Sequence, residues 1–195
     1  MLSRIRIFAC AALLLCFGVP ATAADTYSLD PAHSTVLFEV SHFGYAQVIG
    51  RFNEVSGQLQ LDPENLAASS VNVEIKTASV DTGQAKRDEH LRSPDFFNAA
   101  EFPTMSFEST SVESTGDKTA KVMGNLTLLG KTAPATLEIV FNKHAPHPVP
   151  AMKGVLVAGF SGTMSIDRIN FGMKYGEGGI GSDVKIRIEA EALKQ

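Results

Sequence analysis

From Ser34 to the C-terminus this chain alternates apolar and polar residues in about eight separate runs, and that period constrains its fold more than any other feature. The clearest are Val71, Val73 and Ile75 against Asn72, Glu74 and Lys76, and Val184, Ile186, Ile188 and Ala190 against Lys185, Arg187, Glu189 and Glu191. A period of two turns successive side chains to opposite faces, so each strand has one face that meets water and one that does not. With no comparable helical stretch, such a sheet has to cover its own apolar face, by closing into a barrel or doubling into a sandwich.

The alternation predicts strands at Ser34–His42, Val48–Leu61, Ser70–Ser79, Thr104–Val112, Thr119–Leu129, Ala135–Asn142, Gly154–Ile166 and Asp183–Ala192, with Tyr27–Leu29 pairing beside the first. Turn chemistry separates them: Asp62-Pro63-Glu64-Asn65, Thr115-Gly116-Asp117, Gly130-Lys131, and the glycines from Gly176 to Gly181. Short connections favour antiparallel neighbours in up-and-down order, hence an all-β, eight-stranded antiparallel barrel with a short helical segment between strands. Outer-membrane barrels also alternate, but with aromatic girdles and a polar interior. This chain has no Trp and only three Tyr, while Phe38, Phe107, Phe141 and Phe160 fall in the apolar phase of strands. The apolar face therefore points inward.

The first 23 residues read as a processing signal. Arg4 and Arg6 give a positive start, Ile7 to Val19 form a 13-residue apolar run, and Ala21-Thr22-Ala23 supplies a small-residue cleavage pattern. That run is shorter than the ~20 residues a membrane span needs, so no integral span is expected. Cys10 and Cys16 leave with the leader, and their preceding residues suit a lipoprotein signal poorly. Residues 24–195 are then one domain with no cysteine, hence no disulfide and no thiol chemistry. The leader removes two of 17 basic residues and none of the 21 acidic ones, leaving a net charge of −6. An acidic chain of this kind is not built to bind nucleic acid or an anionic membrane surface.

Between Val80 and Pro103 the alternation stops. Gln84 to Arg92 suits a short helix, with Asp88 and Arg92 spaced i, i+4 as an ion pair. Ser93-Pro94 resembles the start of a second helical turn, with serine as the cap and proline in the first position. Phe96, Phe97 and Phe102 have no strand to belong to, and the open end of a barrel would take them.

Motifs with chemical connotations mostly dissolve on inspection. Gly176-Glu177-Gly178-Gly179-Ile180-Gly181 has the dinucleotide spacing, but a strand follows it where that site needs a helix. His144 and His147, among Pro146, Pro148 and Pro150, read as solvated loop histidines without the further ligands of a zinc site. Ser161 lacks the second glycine of a nucleophile elbow. Asp88, His90 and Arg92 form the one cluster with chemical interest, either tying a helix to the barrel rim or meeting a ligand head group. His42 follows Val36, Phe38 and Val40 in phase, as a hydrogen-bonded core histidine or a polar contact near one end of the bore. Gly57, Gly124 and Gly162 also fall in the inward phase, marking bends or leaving interior space.

Several stretches together are similar to the YceI-like family of bacterial periplasmic proteins: Tyr27-Ser28-Leu29-Asp30, Ser34 to Phe38, His42-Phe43-Gly44, and Ser79-Val80-Asp81-Thr82 with Arg87-Asp88, His90-Leu91-Arg92-Ser93 and Asp95-Phe96-Phe97. Gly124 to Gly130 and Asp167-Arg168-Ile169-Asn170-Phe171-Gly172 continue the match, which spans essentially all of residues 24–195. The resemblance implies a lipocalin-like barrel whose apolar pocket holds a polyisoprenoid chain, an isoprenoid quinone or a related long-chain amphiphile. It implies no cofactor, no metal and no catalytic constellation, and roles in carriage, storage or stress protection.

With the inward phase, the resemblance places Phe38, Val40, Leu59, Val73, Ile75, Phe107, Leu126, Leu128, Ile139 and Phe160 along the tunnel. Phe97 and Phe102 would close one end, and His42, Asp88, His90 and Arg92 would meet the head group. An apolar ligand burying about 400 Å² would gain on the order of 10 kcal/mol before association costs, enough to hold a lipid without special chemistry. A filled barrel acting through its outer surface as a stress protein, and an enzyme working on a lipid at the rim, are the competing expectations. The sequence leaves a homodimer open.

Overall fold

The computed structural model describes residues 24–195, so the predicted leader lies outside the described residues. The chain forms β1 (Asp25–Leu29), β2 (Thr35–His42), β3 (Ala46–Phe52), β4 (Val55–Leu61), β5 (Ser70–Lys76), β6 (Val80–Asp81), α1 (Ala85–Arg92), β7 (Thr104–Gly116), β8 (Thr119–Leu128), β9 (Lys131–Pro146), β10 (Leu156–Asp167) and β11 (Ile180–Lys194). All strand pairings within the ring are antiparallel.

The ring has eight strand positions because three of them are each made of two strands. β1 and β2 both lie along β11, at Leu29↔Ala192 and Val36↔Ile188. β4 and β3 pair with β1 and β2 respectively, and β5 and β6 continue outside them. β7 to β10 complete the circuit back to β11, and β1–β11 pairing closes it. Closure removes most of the free edge that an open sheet would present, and only β6 is left with β3 as its single partner.

The breaks correct two predicted strands. Val48–Leu61 is interrupted at Asn53-Glu54, and Ser70–Ser79 ends at Lys76 in a single 3₁₀ turn, Thr77–Ser79. The two breaks sit side by side: Asn53 N donates to Ser79 O, and Glu54 N to Ser79 Oγ. Thr77, buried, donates its hydroxyl to Phe102 O at 2.7 Å. A sheet bending into a small barrel concentrates its curvature at such corners, and side chains satisfy the freed backbone groups. β9 also runs farther than expected at both ends, to Lys131 and Pro146. Its hairpin with β8 turns on Leu129 (φ +52°) and Gly130 (φ +68°), both left-handed as a two-residue primed turn requires.

Apolar residues of the alternation face inward, and the outer face carries charge, as in Lys185–Glu39 at 3.5 Å and Arg187–Glu189 at 2.7 Å. Among the described residues no helix is long and apolar enough to cross a membrane. The main apolar cluster runs from Phe52, Phe96, Phe97 and Phe171 to Leu126 and Leu137, and a smaller one gathers Tyr27, Leu61, Ala158 and Ala192. α1 and the connection at 168–181 lie at one end of the barrel. The β7–β8 hairpin and both ends of the described chain lie at the other, here the far end.

Candidate functional site

The barrel encloses a cavity of about 340 Å³, in the range of pockets that hold small ligands. Its wall is built from strand residues two apart, which is how alternation in sequence becomes a continuous apolar surface. Val36, Phe38 and Val40 come from β2, Val71, Val73 and Ile75 from β5, and Ile186, Ile188 and Ala190 from β11. Phe107, Leu126, Leu128, Ile139, Phe160, Gly162 and Met164 continue the surface around the ring. Many of these side chains, Val73, Ile139, Phe160 and Ile188 among them, are only partly buried although they face the interior. Side chains do not fill the bore.

The inward glycines shape this wall by close approach. A Cβ on Gly124 would lie 2.5 Å from both Glu108 O and the Phe107 ring, so the missing side chain is what lets Phe107 lie flat across β8. At Gly162 it would meet Ile139 Cδ1 at 2.8 Å.

At the α1 end the bore is stoppered. Leu91, Phe96, Phe97 and Met173 line it there, and Phe97 meets Phe52 edge-on at 5.4 Å. Behind them Arg168, 2% exposed, ties down the connection from β10 to β11. Its guanidinium donates to the carbonyls of Gly181 at 2.8 Å, Tyr175 and Ile180 at 3.0 Å, and Met173. Burial lowers the arginine pKa from its usual value, opposed by Glu177 and Asp167. The five-donor planar fork matches converging carbonyls in a way an ammonium would not. The Gly176–Gly181 stretch is therefore a pinned turn that leads into a strand, with no helix after it.

Of the predicted tunnel residues, Phe38, Val40, Leu59, Val73, Ile75, Phe97, Phe107, Leu126, Leu128, Ile139 and Phe160 lie on the cavity wall. Five others do not. His42 keeps the inward phase but ends β2 beyond the cavity, exposed, with its ring edge-on to Phe43 at 4.7 Å. Phe102 lies against Gly130 instead of the bore. Asp88 is buried facing Thr82, accepting from its N at 2.9 Å and its hydroxyl at 2.5 Å; the expected Asp88–Arg92 ion pair does not form. Arg92 reaches Val80 O at 3.5 Å. His90 pairs with Asp95 at 2.8 Å, its ring against Phe96 and Tyr175. α1 is short and charged, so its polar groups found partners in the adjoining backbone and side chains. Ser93 closes α1, and residues 94–97 are turns in place of the predicted helical start.

The far end held features that local patterns missed. His144 belongs to β9, and its Nε2 meets the hydroxyl of fully buried Tyr27 at 2.8 Å. Two strands stand between β1 and β9, and their residues under the pair are Ala158 and Ala192, both fully buried. The Tyr27–His144 pair thus straps one side of the barrel end, over residues small enough to lie beneath it. Burial raises the tyrosine pKa, with nearby Lys194 opposing. On the other side the cavity wall reaches Gln60, Ser69, Ser70, Asp117, Lys118 and Thr119.

The sequence profile of the YceI-like domain matches residues 27–192. A UPF0312 protein of Shewanella sp. strain ANA-3 is 39% identical over 177 residues, 90% of either chain. A UPF0312 protein of Vibrio vulnificus strain YJ016 is 39% identical over 186 residues, 94% of this chain and 95% of that one. Among solved structures, the Campylobacter jejuni YceI protein superposes with a TM-score of 0.69 at 28% identity, covering 80% of this chain and 90% of its own. BcnA of Burkholderia cenocepacia gives 0.75 at 24% identity, covering 84% and 98%. A polyisoprenoid-binding domain of Saccharophagus degradans, implicated in plant cell wall breakdown, gives 0.66 at 16% identity, covering 87% and 98%. The last two likenesses speak for the fold.

Proposed function

The chain belongs to the YceI-like family, and from that premise we propose that it is a lipid-binding protein holding a polyisoprenoid chain, as an isoprenoid quinone or polyprenyl lipid, inside its barrel. The observation that carries this reading is the apolar wall running from Phe97 at one end to Phe141 and Phe160 near the other around space that side chains leave unfilled. Such a wall offers a long hydrocarbon the hydrophobic gain of burial along its length, with no polar group to desolvate in the middle. The fold shared with the polyisoprenoid-binding domain of Saccharophagus degradans supports the ligand class.

The protein acts by binding and not by catalysis. Asp88 and His90, the acid and base that a rim enzyme would use, are engaged by Thr82 and Asp95 and lie off the cavity wall. The leader predicted at residues 1–23 supports a periplasmic location, where a soluble carrier, reservoir or stress-protective binder of lipid has work to do.

The test is to purify the protein from a bacterial periplasm, extract it with organic solvent and identify released lipids by mass spectrometry. A stoichiometric isoprenoid is expected. A clean extract, together with no uptake when quinones and polyprenyl lipids are added back, would overturn the reading. Phe160→Asp with Leu126→Asp should abolish retention in a protein that still shows a β-rich circular dichroism spectrum.

A further inference from the structure

Apart from Ser106 and Arg168, the polar residues on the cavity wall are gathered at one end. At the α1 end the one charged side chain on the wall is Arg168, and backbone carbonyls take up its guanidinium. Leu91, Phe96, Phe97 and Met173 fill the surroundings. At the far end Gln60, Ser69, Ser70, Asp117, Lys118 and Thr119 all border the cavity, and all are half-buried or exposed. Tyr27 and His144 close the β1–β9 side of that end, so the polar residues, from β4, β5 and the β7–β8 hairpin, frame what remains.

Their hydrogen-bond state suggests what they would receive. Gln60 uses its carbonyl oxygen on the Thr26 hydroxyl, leaving its amide as a donor. Ser69 Oγ accepts from Asp62 N, and Thr119 Oγ1 from Thr115. Lys118, in the β7–β8 hairpin, makes no side-chain hydrogen bond or ion pair among the described residues. Gln60, Ser70 and Thr119 alternate with the inward Leu59, Val71 and Ala120 and turn their side chains to the outer face, so the Lys118 ammonium and the Ser69 hydroxyl proton are the donors for oxygen at the rim of the bore.

We infer that the ligand enters tail first through this far end and that Lys118 and Ser69 receive an oxygen-acceptor head group, a quinone carbonyl or a prenyl phosphate. The inference rests on the lipid-binding reading. It puts the head group at the opposite end from α1, where the charged segment drew attention in the sequence.

The experiment uses three probes with short isoprenoid tails: farnesyl phosphate, farnesol and a ubiquinone of similar tail length. Backbone amide shifts are mapped by NMR for each, and affinities are measured for wild type, Lys118→Glu and Ser69→Ala. Changing the head group should move the amides of Ser70, Lys118 and Thr119 and leave Leu91, Phe97 and Arg168 in place. Lys118→Glu should weaken farnesyl phosphate roughly ten-fold while farnesol changes little, since only the first makes a charge-assisted bond. Head-dependent shifts shared by quinone and phosphate assign recognition to hydrogen bonding, and shifts with phosphate alone assign it to charge. Head-dependent shifts at Phe97 and Arg168 would overturn the orientation while leaving lipid binding intact. Failure of all three probes to bind would overturn the lipid-binding reading, and this inference with it.

Discussion

The two ends of the barrel are finished in different ways. The α1 end is packed: Phe38, Phe52 and Phe97 stack in succession at 5.6 and 5.4 Å, and a buried arginine stitches four carbonyls behind them. The far end is framed. One tyrosine–histidine hydrogen bond straps one side, and exposed polar residues ring the other. Their contrast teaches that stability and access are assigned to opposite ends, so one can be altered with limited effect on the other.

Substitutions can break that contrast. Arg168→Met would leave one buried and three half-buried carbonyls without their guanidinium partner, and at about 1–3 kcal/mol for a buried group chemical denaturation should show a loss of roughly 3 kcal/mol. A loss under about 1 kcal/mol would mean the packed end does not depend on its arginine. Phe97→Ala should cost about 3 kcal/mol, the low end for such truncations because one face of the ring already borders the cavity. At the framed end, Tyr27→Phe removes one hydrogen bond and should cost only about 1 kcal/mol. A larger loss would show that the strap is structural in the way the arginine is.

The smallest expected effect is electrostatic. In the turn between β1 and β2 the imidazole of His33 meets Asp30 at 2.7 Å; this hydrogen bond lowers the carboxyl pKa from 3.8 and raises that of His33 from 6.5. A depressed carboxylate stabilises above its unfolded pKa and loses that contribution as pH falls through the folded value. A raised imidazole stabilises below its unfolded pKa and loses the contribution as pH rises through the folded one. The pair therefore helps most between the two titrations. Melting curves of wild type and His33→Ala over about pH 3 to 8 should diverge in that window and converge on either side. Parallel curves would remove the pair from the account.

Period-two patterning carried the barrel and most of its wall, because a strand's inward phase is a local property that closure preserves. Val73, Phe107 and Leu126 were legible on that basis. Phase alone did not say where the cavity stops, so His42 was placed inside when it stands past the end. The corner at Asn53 and Thr77–Ser79 carries no such signal, since its bend comes from neighbouring strands curving together. Charge density at Asp88, His90 and Arg92 suggested chemistry, and nearby groups absorb it. Tyr27 and His144 are 117 residues apart, and only the closed ring brings them to one hydrogen bond. Ser69 and Lys118 lie in a loop and a hairpin, where pattern reading sees only solvent and turns.

Ring closure rests on β1 meeting β11, a junction reinforced by a salt bridge between Asp25 and Lys194, 169 residues apart. That seam cannot form until almost the whole chain is available. Pairings of such sequence separation are slow to nucleate, and until then the apolar inner wall stands open with unpaired strand edges. The last few residues thus act as a zipper pull. Shortening the chain before Ala192 should slow refolding and favour aggregation well out of proportion to the contacts removed, while the hairpins from β7 to β10 still form among themselves.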